Sequence, residues 1–592
     1  MELKKRSDMN PEYMWDLRPI YESDDAWREA LKDAEARVAS LADIPGTLGT
    51  SADSLKAGLD RINAASELAE KVYAYSMLRK SEDGGDPAKQ EMEARAISML
   101  VALETATAFV RPEILAIPEE TLAEYMRDDG LRTYRHMLED IARGRAHTLD
   151  HNGERILAML GDAAQTPSNV YDMLTEVDFH FPSVHDESGA EVPLTHGSFG
   201  VYRESRSQAV RKEAFETYFG EYQKYINTLA ATYAGSVKQD CFTADVRGFD
   251  DACAAALFGN NVPVSLYDNL IGAVHGALPA MREYIELRKQ RLGLDTINLY
   301  DLYAPIVDDV EIDMPFEKAK DVVKAALKPL GEEYQGLLDR AFDEKWIDVY
   351  ENQGKATGAY SMGVYGVHPY VLLNYTDKLD DAFTLAHELG HSMHSFFSDR
   401  TQDYANHDYS IFVAEVASTV NEVLLTRYLL SVETDRARRA MLLNHFLEGF
   451  RTTIFRQTLF AEFERQAHAL YQQGTPLTAE AMNGLFHDLN ALYYDGCNIN
   501  DFCDVEWARI PHFYSAFYVF QYATGFSSAV AIADHILKTG DASDYLRFLT
   551  TGGSEYPIEE LKIAGVDLTK PDAIRDALRV FAETIEEFKA CV

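Results

Sequence analysis

The chain is poor in cysteine, with five in 592 residues. Cys241, Cys253, Cys497, Cys503 and Cys591 are odd in number and irregularly spaced, and the near pair Cys497 and Cys503 lacks the spacing of a structural zinc knuckle. No disulfide framework is expected; reduced, structural thiols of a cytoplasmic protein are. Long apolar runs are also missing. ACAAALFG and SSAVAIADHIL are too short to span a bilayer, and the charged opening MELKKRSDMNPEYMWDLRP has no apolar stretch of signal-peptide type. The expectation is a soluble, cytoplasmic protein with no membrane partner. Positive charge is scarce as well. Lys and Arg number 56 against 96 Asp and Glu, a formal net charge of −40, and such a field repels phosphate backbones and argues against nucleic acid as a partner. The acidity serves solubility, suits raised salt, or draws in cationic peptides. No Gly-rich phosphate loop or dinucleotide fingerprint stands between a strand and a helix.

What is present is apolar content for a folded protein, 46% of the residues, in a chain too long for one hydrophobic core. Two or more lobes follow. Helical periodicity dominates, so the expected fold is mostly α. Residues 25–43, 54–79, 87–112 and 118–144 read as amphipathic helices, and helical patterns resume over 203–290, 316–344 and from 381 onward. A β-hairpin is expected near 178–196 around the turn Asp186-Glu187-Ser188-Gly189. Residues 356–375 are the strongest strand candidate, with Pro369 suited to an edge. No linker marks a border; the main one is placed near 200, giving an N-terminal helical lobe over 1–199 and a catalytic region over 200–592.

His387-Glu388-Leu389-Gly390-His391 lies in the helical stretch DDAFTLAHELGHSMHSFF. Positions i and i+4 share a helix face, so both imidazoles can reach one metal ion. Glu388 is rotated about 100° from His387, close enough to meet a metal-bound water without being a ligand. Leu389, Met393, Phe396 and Phe397 form an apolar stripe opposite. Chance alone supplies roughly 0.04 such matches in a chain of this length. His394 shares the histidine face, but seven residues of helix rise about 10.5 Å, too far to share a zinc with His387; a structural histidine is expected there.

A catalytic zinc needs a third protein ligand and an open position. Glu415, in SIFVAEVASTVNEVLLTRYLL, is the best candidate. Ile411, Phe412, Val413, Val416, Val420, Val423 and Leu424 predict a largely buried helix, in which a carboxylate is costly unless paired or metal-bound. Ser418 and Glu422 share its face, as residues supporting a ligand would; for Glu422 a structural ion pair stands equally open. Asp399, Asp403 and Asp408 are expected in a polar, loop-like connection and make poorer ligands.

GKATGAYSMGVYGVHPYVLLNYTDKLDDAFTLAHELGHSMHS, FVAEVASTVNE, ARIPHFYSAFYVFQYATG and the early WDLRPIY together resemble the oligoendopeptidase F branch of the thimet-type zinc metallopeptidases. The resemblance spans nearly the whole chain. It implies a two-lobed helical zinc metallopeptidase with a deep substrate channel, zinc at its floor and a small β-ribbon near the active site. It further implies His387, His391 and Glu415 as the ligands of one Zn2+ and Glu388 as general base. His512, Tyr518 and Tyr522 are implied to hold the substrate carbonyl, with the tyrosine that touches the oxyanion left open because His512 sits one residue further upstream than in the thimet branch. Gly358, Ala359 and Tyr360 resemble the edge against which a peptide backbone is laid. The extended metzincin pattern fails, since His394 and Phe397 stand where it wants glycine and a third histidine. The expected function is zinc-dependent hydrolysis of internal bonds in oligopeptides. An exopeptidase on the same site, or a peptide-binding scaffold with a vestigial site, are the rivals; an intact Glu388 speaks against the scaffold.

Overall fold

A computed structural model describes residues 3–307, 310 and 312–592. The chain is mostly α-helical, and its helix starts are set by short polar caps. The side chain of Ser23 accepts the Ala26 N–H at the start of Asp24–Ser40, and Ser51 accepts the Ser54 N–H at the start of Ala52–Glu82. Asp251 and Thr478 do the same for Ala252–Phe258 and Ala479–Tyr493. Each satisfies an N–H that the first helical turn leaves without a partner.

The chain divides into two compact units. The first comprises Met1–Ala146, Glu311–Tyr428 and Ile532–Gly565, and the second His147–Val310, Leu429–Ala531 and Val566–Val592. The core of the first gathers Trp27, Leu31, Leu55, Val72 and Leu138 with Tyr370 and Leu372 from its sheet. The single border expected near residue 200 does not describe this division. The chain passes between the units several times, twice within continuous helices, Ile411–Val432 and Phe520–Thr539. An uninterrupted hydrophobic period carries no mark of such a crossing.

Five short strands occur among the described residues. β1 (Val184–His185) and β2 (Glu191–Val192) pair antiparallel, closed by the Asp186 carboxylate accepting from the Ser188 and Ala190 N–H groups and by Gly189 at φ +80°. This is the expected hairpin, and it belongs to the second unit rather than to an N-terminal lobe. β3 (Ile347–Asp348), β4 (Tyr360–Met362) and β5 (Tyr370–Leu372) form a sheet of order β3-β5-β4, with β3 parallel and β4 antiparallel to β5. The long strand expected over 356–375 is thus two strands. Gly366 at φ +74° and the bond from the Val367 N–H to the Val364 carbonyl reverse the chain between them. Pro369 precedes the central strand, not an edge; standing before the first paired residue, it removes no ladder bond.

All five cysteines are free, and burial pushes the Cys253 and Cys503 thiols up to about 12, which leaves them inert as nucleophiles. Among the described residues no helix is long and apolar enough to cross a membrane.

Candidate metal centre

Two helices of the first unit build the site. The motif helix, Leu379–Thr401, starts where the Asp381 carboxylate accepts the Thr376 and Lys378 N–H groups at 2.9 Å each. Leu385, Ala386, Leu389, Gly390, Met393 and Phe397 are buried along one side, which turns His387 and His391 the other way. The second helix, Ile411–Val432, is buried at Phe412, Val413, Val416, Val420, Val423 and Leu424. Ile411, expected among them, is instead 58% exposed, because it opens the first turn.

The two helices meet at Gly390. A Cβ there would lie 2.6 Å from the Ser418 Cα and 2.7 Å from the Ala417 carbonyl oxygen, distances no real side chain tolerates, so only glycine permits this approach. Asn421, fully buried, clamps the same contact. Its amide donates to the Ala386 carbonyl at 2.9 Å, and its oxygen accepts from the Tyr334 hydroxyl at 3.1 Å. Motif and period do not mark Gly390, Asn421 or Tyr334 as parts of a site; a glycine inside a helix, at a cost of about 1 kcal/mol against alanine, is the one signal of a packing constraint.

That close approach brings three donor atoms together. His387 Nε2 and His391 Nε2 are 3.2 Å apart, and Glu415 Oε2 lies 3.4 Å from the first and 3.5 Å from the second. Among the described residues this is the one His/Cys/Asp/Glu cluster with ligand atoms converging closely enough to hold a metal ion. Ligands at 2.0–2.1 Å on a tetrahedral ion stand about 3.3 Å apart. The triangle therefore fits zinc, with two imidazole nitrogens, one carboxylate oxygen and a fourth position left open.

His387 and Glu415 are held from the other side as well. His387 Nδ1 meets Glu422 Oε1 at 2.5 Å, which leaves Nε2 available to a metal ion. The Ser418 hydroxyl donates to Glu415 Oε2 at 2.9 Å and is also 3.0 Å from the Glu415 carbonyl oxygen. Glu415 itself is not deeply buried; its side chain is 49% exposed, so it faces an open space rather than a core. The bond with His391, against the effect of burial, holds its carboxyl at about 2. Burial pushes the His387 ring down, but Glu422 outweighs it and the net direction is up. Glu388 is 7% exposed, and burial raises its carboxyl while His387 and His391 pull against that rise.

His394 stands apart from the triangle. Its ring stacks on Tyr409 at 3.6 Å and packs on Phe548, and burial pushes it down to about 3, so it is a neutral core group. Asp399, expected in a loop, lies within the motif helix and pairs with His407 Nδ1 at 3.0 Å; Asp403 and Asp408 lie in the connection that follows.

β4 is tied to the motif helix by the Ser361 and Ser392 hydroxyls, 2.8 Å apart. Of the expected edge residues only Tyr360 is in the strand. Gly358, at φ +79°, and Ala359 lead into it, with the Gly358 carbonyl accepting from the Asn374 amide at 2.8 Å. His512, Tyr518 and Tyr522 belong to the second unit and cluster there. The Tyr522 hydroxyl is 3.3 Å from His512 Nε2, and the ring centroids of Tyr518 and Tyr522 are 5.6 Å apart. Burial lowers the His512 ring, which favours its neutral form.

The chain is similar to known peptidases along nearly its whole length. Residues 201–580 match the family model described as Peptidase family M3, and residues 113–181 match the one described as Oligopeptidase F. Oligopeptidase PepF of Bacillus subtilis is 42% identical over 99% of this chain and 88% of its own length. An oligoendopeptidase F homolog of Lactococcus lactis is 38% identical over 100% and 99%. Among solved structures, a Chlamydophila abortus chain superposes with a TM-score of 0.96 at 32% identity, covering 100% of both. Oligoendopeptidase-F of Enterococcus faecium gives 0.73 at 35% identity, covering 96% of this chain and 99% of its own. With a family model across more than half its length and such relatives across all of it, the chain belongs to peptidase family M3, in the oligopeptidase F group, and is a metalloendopeptidase.

Proposed function

We propose that the chain hydrolyses internal peptide bonds of oligopeptides, with one zinc ion held by His387, His391 and Glu415 and with Glu388 as general base. The observation that carries this reading is the donor triangle, with sides of 3.2, 3.4 and 3.5 Å, which has the size a tetrahedral zinc requires. When bound, zinc supplies Lewis acidity toward the scissile carbonyl and the attacking water. Glu388 takes the proton of that water and later delivers it to the leaving amine. It stands outside the triangle, one residue from His387 and about 100° around the helix, so base and ligand remain separate roles. Glu422 and Ser418 keep the ligands oriented.

His512, Tyr518 and Tyr522 donate hydrogen bonds to the carbonyl oxygen as negative charge builds on it; the 3.3 Å contact between His512 and Tyr522 supports their acting together. Gly358 and Ala359 lead into the edge strand that Tyr360 opens; its outer side pairs with no other strand among the described residues and suits pairing with a peptide backbone independently of side chains. Oligopeptides as substrates are supported by the names of the relatives.

The test uses peptides blocked at both ends, with mass spectrometry of the products before and after chelation. Internal cleavage that chelation abolishes and one equivalent of zinc restores is the expected result. Cleavage confined to peptides with a free terminus makes the chain an exopeptidase, and activity indifferent to chelation removes the metal from the reading.

A further inference from the structure

A second site lies in the other unit, and it gathers positive charge in a chain whose net charge is −40. A cavity of about 20 Å³ is lined by Arg203, Arg451, Arg456, Tyr303, Tyr494 and Glu506, with apolar side chains completing its wall. Arg451 and Tyr494 are 1% and 2% exposed. Arg451 lies within the π-helical stretch Phe450–Phe455 and Arg456 directly follows it; such a local widening of the helix is common at functional sites.

The charges around this cavity do not balance. Arg451 and Arg288 share Glu448, at 2.5 and 2.8 Å. Arg456 and Arg509 share Glu506, at 2.5 and 3.9 Å. Arg203 has no carboxylate partner among the described residues; its guanidinium lies 3.7 Å from the centre of the Tyr303 ring, and Arg451 lies 4.4 Å from the same ring. Five guanidiniums thus meet two carboxylates. Asp301, close by in the chain, is already paired with Arg211 at 2.7 Å. Two buried polar atoms that belong to lining residues, Arg203 Nε and the Tyr494 hydroxyl, lack a hydrogen-bond partner. Burial would raise the Tyr303 hydroxyl, yet Arg456, Arg451 and Arg203 pull it down to about 8, a measure of how positive the cavity is.

Arg203 is partly exposed, but a charge partly withdrawn from water without a counter-charge, and a buried donor without an acceptor, are both costly. We infer that the cavity binds one small monovalent anion of chloride size, held by Arg203, Arg451 and Arg456 with the Tyr494 hydroxyl as a further donor. The cavity is small, which suits a compact anion better than phosphate or sulfate. A water molecule would answer Tyr494 but not the excess of guanidiniums. This inference does not depend on the reading of the metal centre. Glu506 and Arg509 bound the 3-10 turn that ends three residues before His512, so the anion steadies the segment from which that residue projects.

The experiment follows the thermal midpoint of the metal-loaded chain as sodium gluconate is replaced by sodium chloride or bromide at constant ionic strength. A ligand bound only by the native state stabilises it with a saturating dependence on concentration. The expected result is a saturable rise with chloride and bromide, abolished in Arg203→Met, shifted at least tenfold to higher concentration in Tyr494→Phe, and intact in Arg37→Gln, an exposed arginine elsewhere. Crystals in bromide should show one anomalous peak between Arg203 and Arg456, an observation that needs no variant to fold. Equal midpoints in gluconate and chloride, a response unchanged in both cavity variants, or a cavity holding water alone in bromide overturns the inference.

Discussion

The Cα of Ser418 lies 2.6 Å from where a Cβ on Gly390 would stand. One hydrogen atom in place of a methyl group therefore sets the distance between the helix that carries His387 and His391 and the helix that carries Glu415.

Gly390→Ala should push these helices apart. Overpacking of this kind costs about 1–3 kcal/mol, and the lateral shift spoils a triangle whose sides are 3.2–3.5 Å. Zinc affinity, measured by chelator competition, should fall more than tenfold while the helical circular dichroism persists. Unchanged affinity would mean that the contact does not set the site.

Removing the groups behind the ligands should cost less than removing a ligand. Glu422→Gln and Ser418→Ala each loosen one donor, and such losses are about 10–100-fold in metal affinity or activity. Glu415→Ala should exceed both, and Asp403→Ala and Asp408→Ala should change little. A chelator titration that ranks Glu415→Ala with the two aspartate variants places the third ligand elsewhere.

His512→Phe and Tyr522→Phe should lower kcat more than they raise KM. Loss of one donor to a developing oxyanion costs about 10²–10³ in kcat. A change in KM alone reassigns both residues to holding the substrate in its ground state.

The histidine pair was legible because spacing of i and i+4 on a helix is local, and local geometry survives any tertiary arrangement. Glu415 was reachable as a carboxylate on an otherwise apolar helix, though for a partly mistaken reason, since its side chain is about half exposed rather than buried. The hairpin around Asp186 and Gly189 was legible from turn chemistry. What stayed hidden depends on residues distant in sequence. Gly390 matters because of Ser418, and Asn421 because it reaches Ala386 and Tyr334 at once. The unit borders inside two continuous helices likewise leave no trace in composition or period.

His407 gives the first unit a dependence on pH. Burial alone would lower its ring, but Asp399 at 3.0 Å and Glu70 at 3.5 Å hold it at about 9, above the ordinary 6.5. A histidine raised in the folded state contributes stability in full below about pH 6.5, and the contribution is lost as pH rises through about 9. The thermal midpoint should therefore fall across that window. His407→Gln should start lower at pH 6.5 and lose less on the way to 9. Parallel curves for the two proteins would show that the ion pair does not contribute.

The separation of base from ligand is the centre of the proposed mechanism, and Glu388→Gln tests it most directly. Zinc content by elemental analysis and turnover of an end-blocked peptide should be measured on the same preparation. The account predicts one zinc per chain, as in the unaltered protein, with turnover reduced about 10²–10⁴-fold or more, the range general-base catalysis contributes. A variant that loses its zinc, or one that keeps both zinc and full turnover, contradicts it.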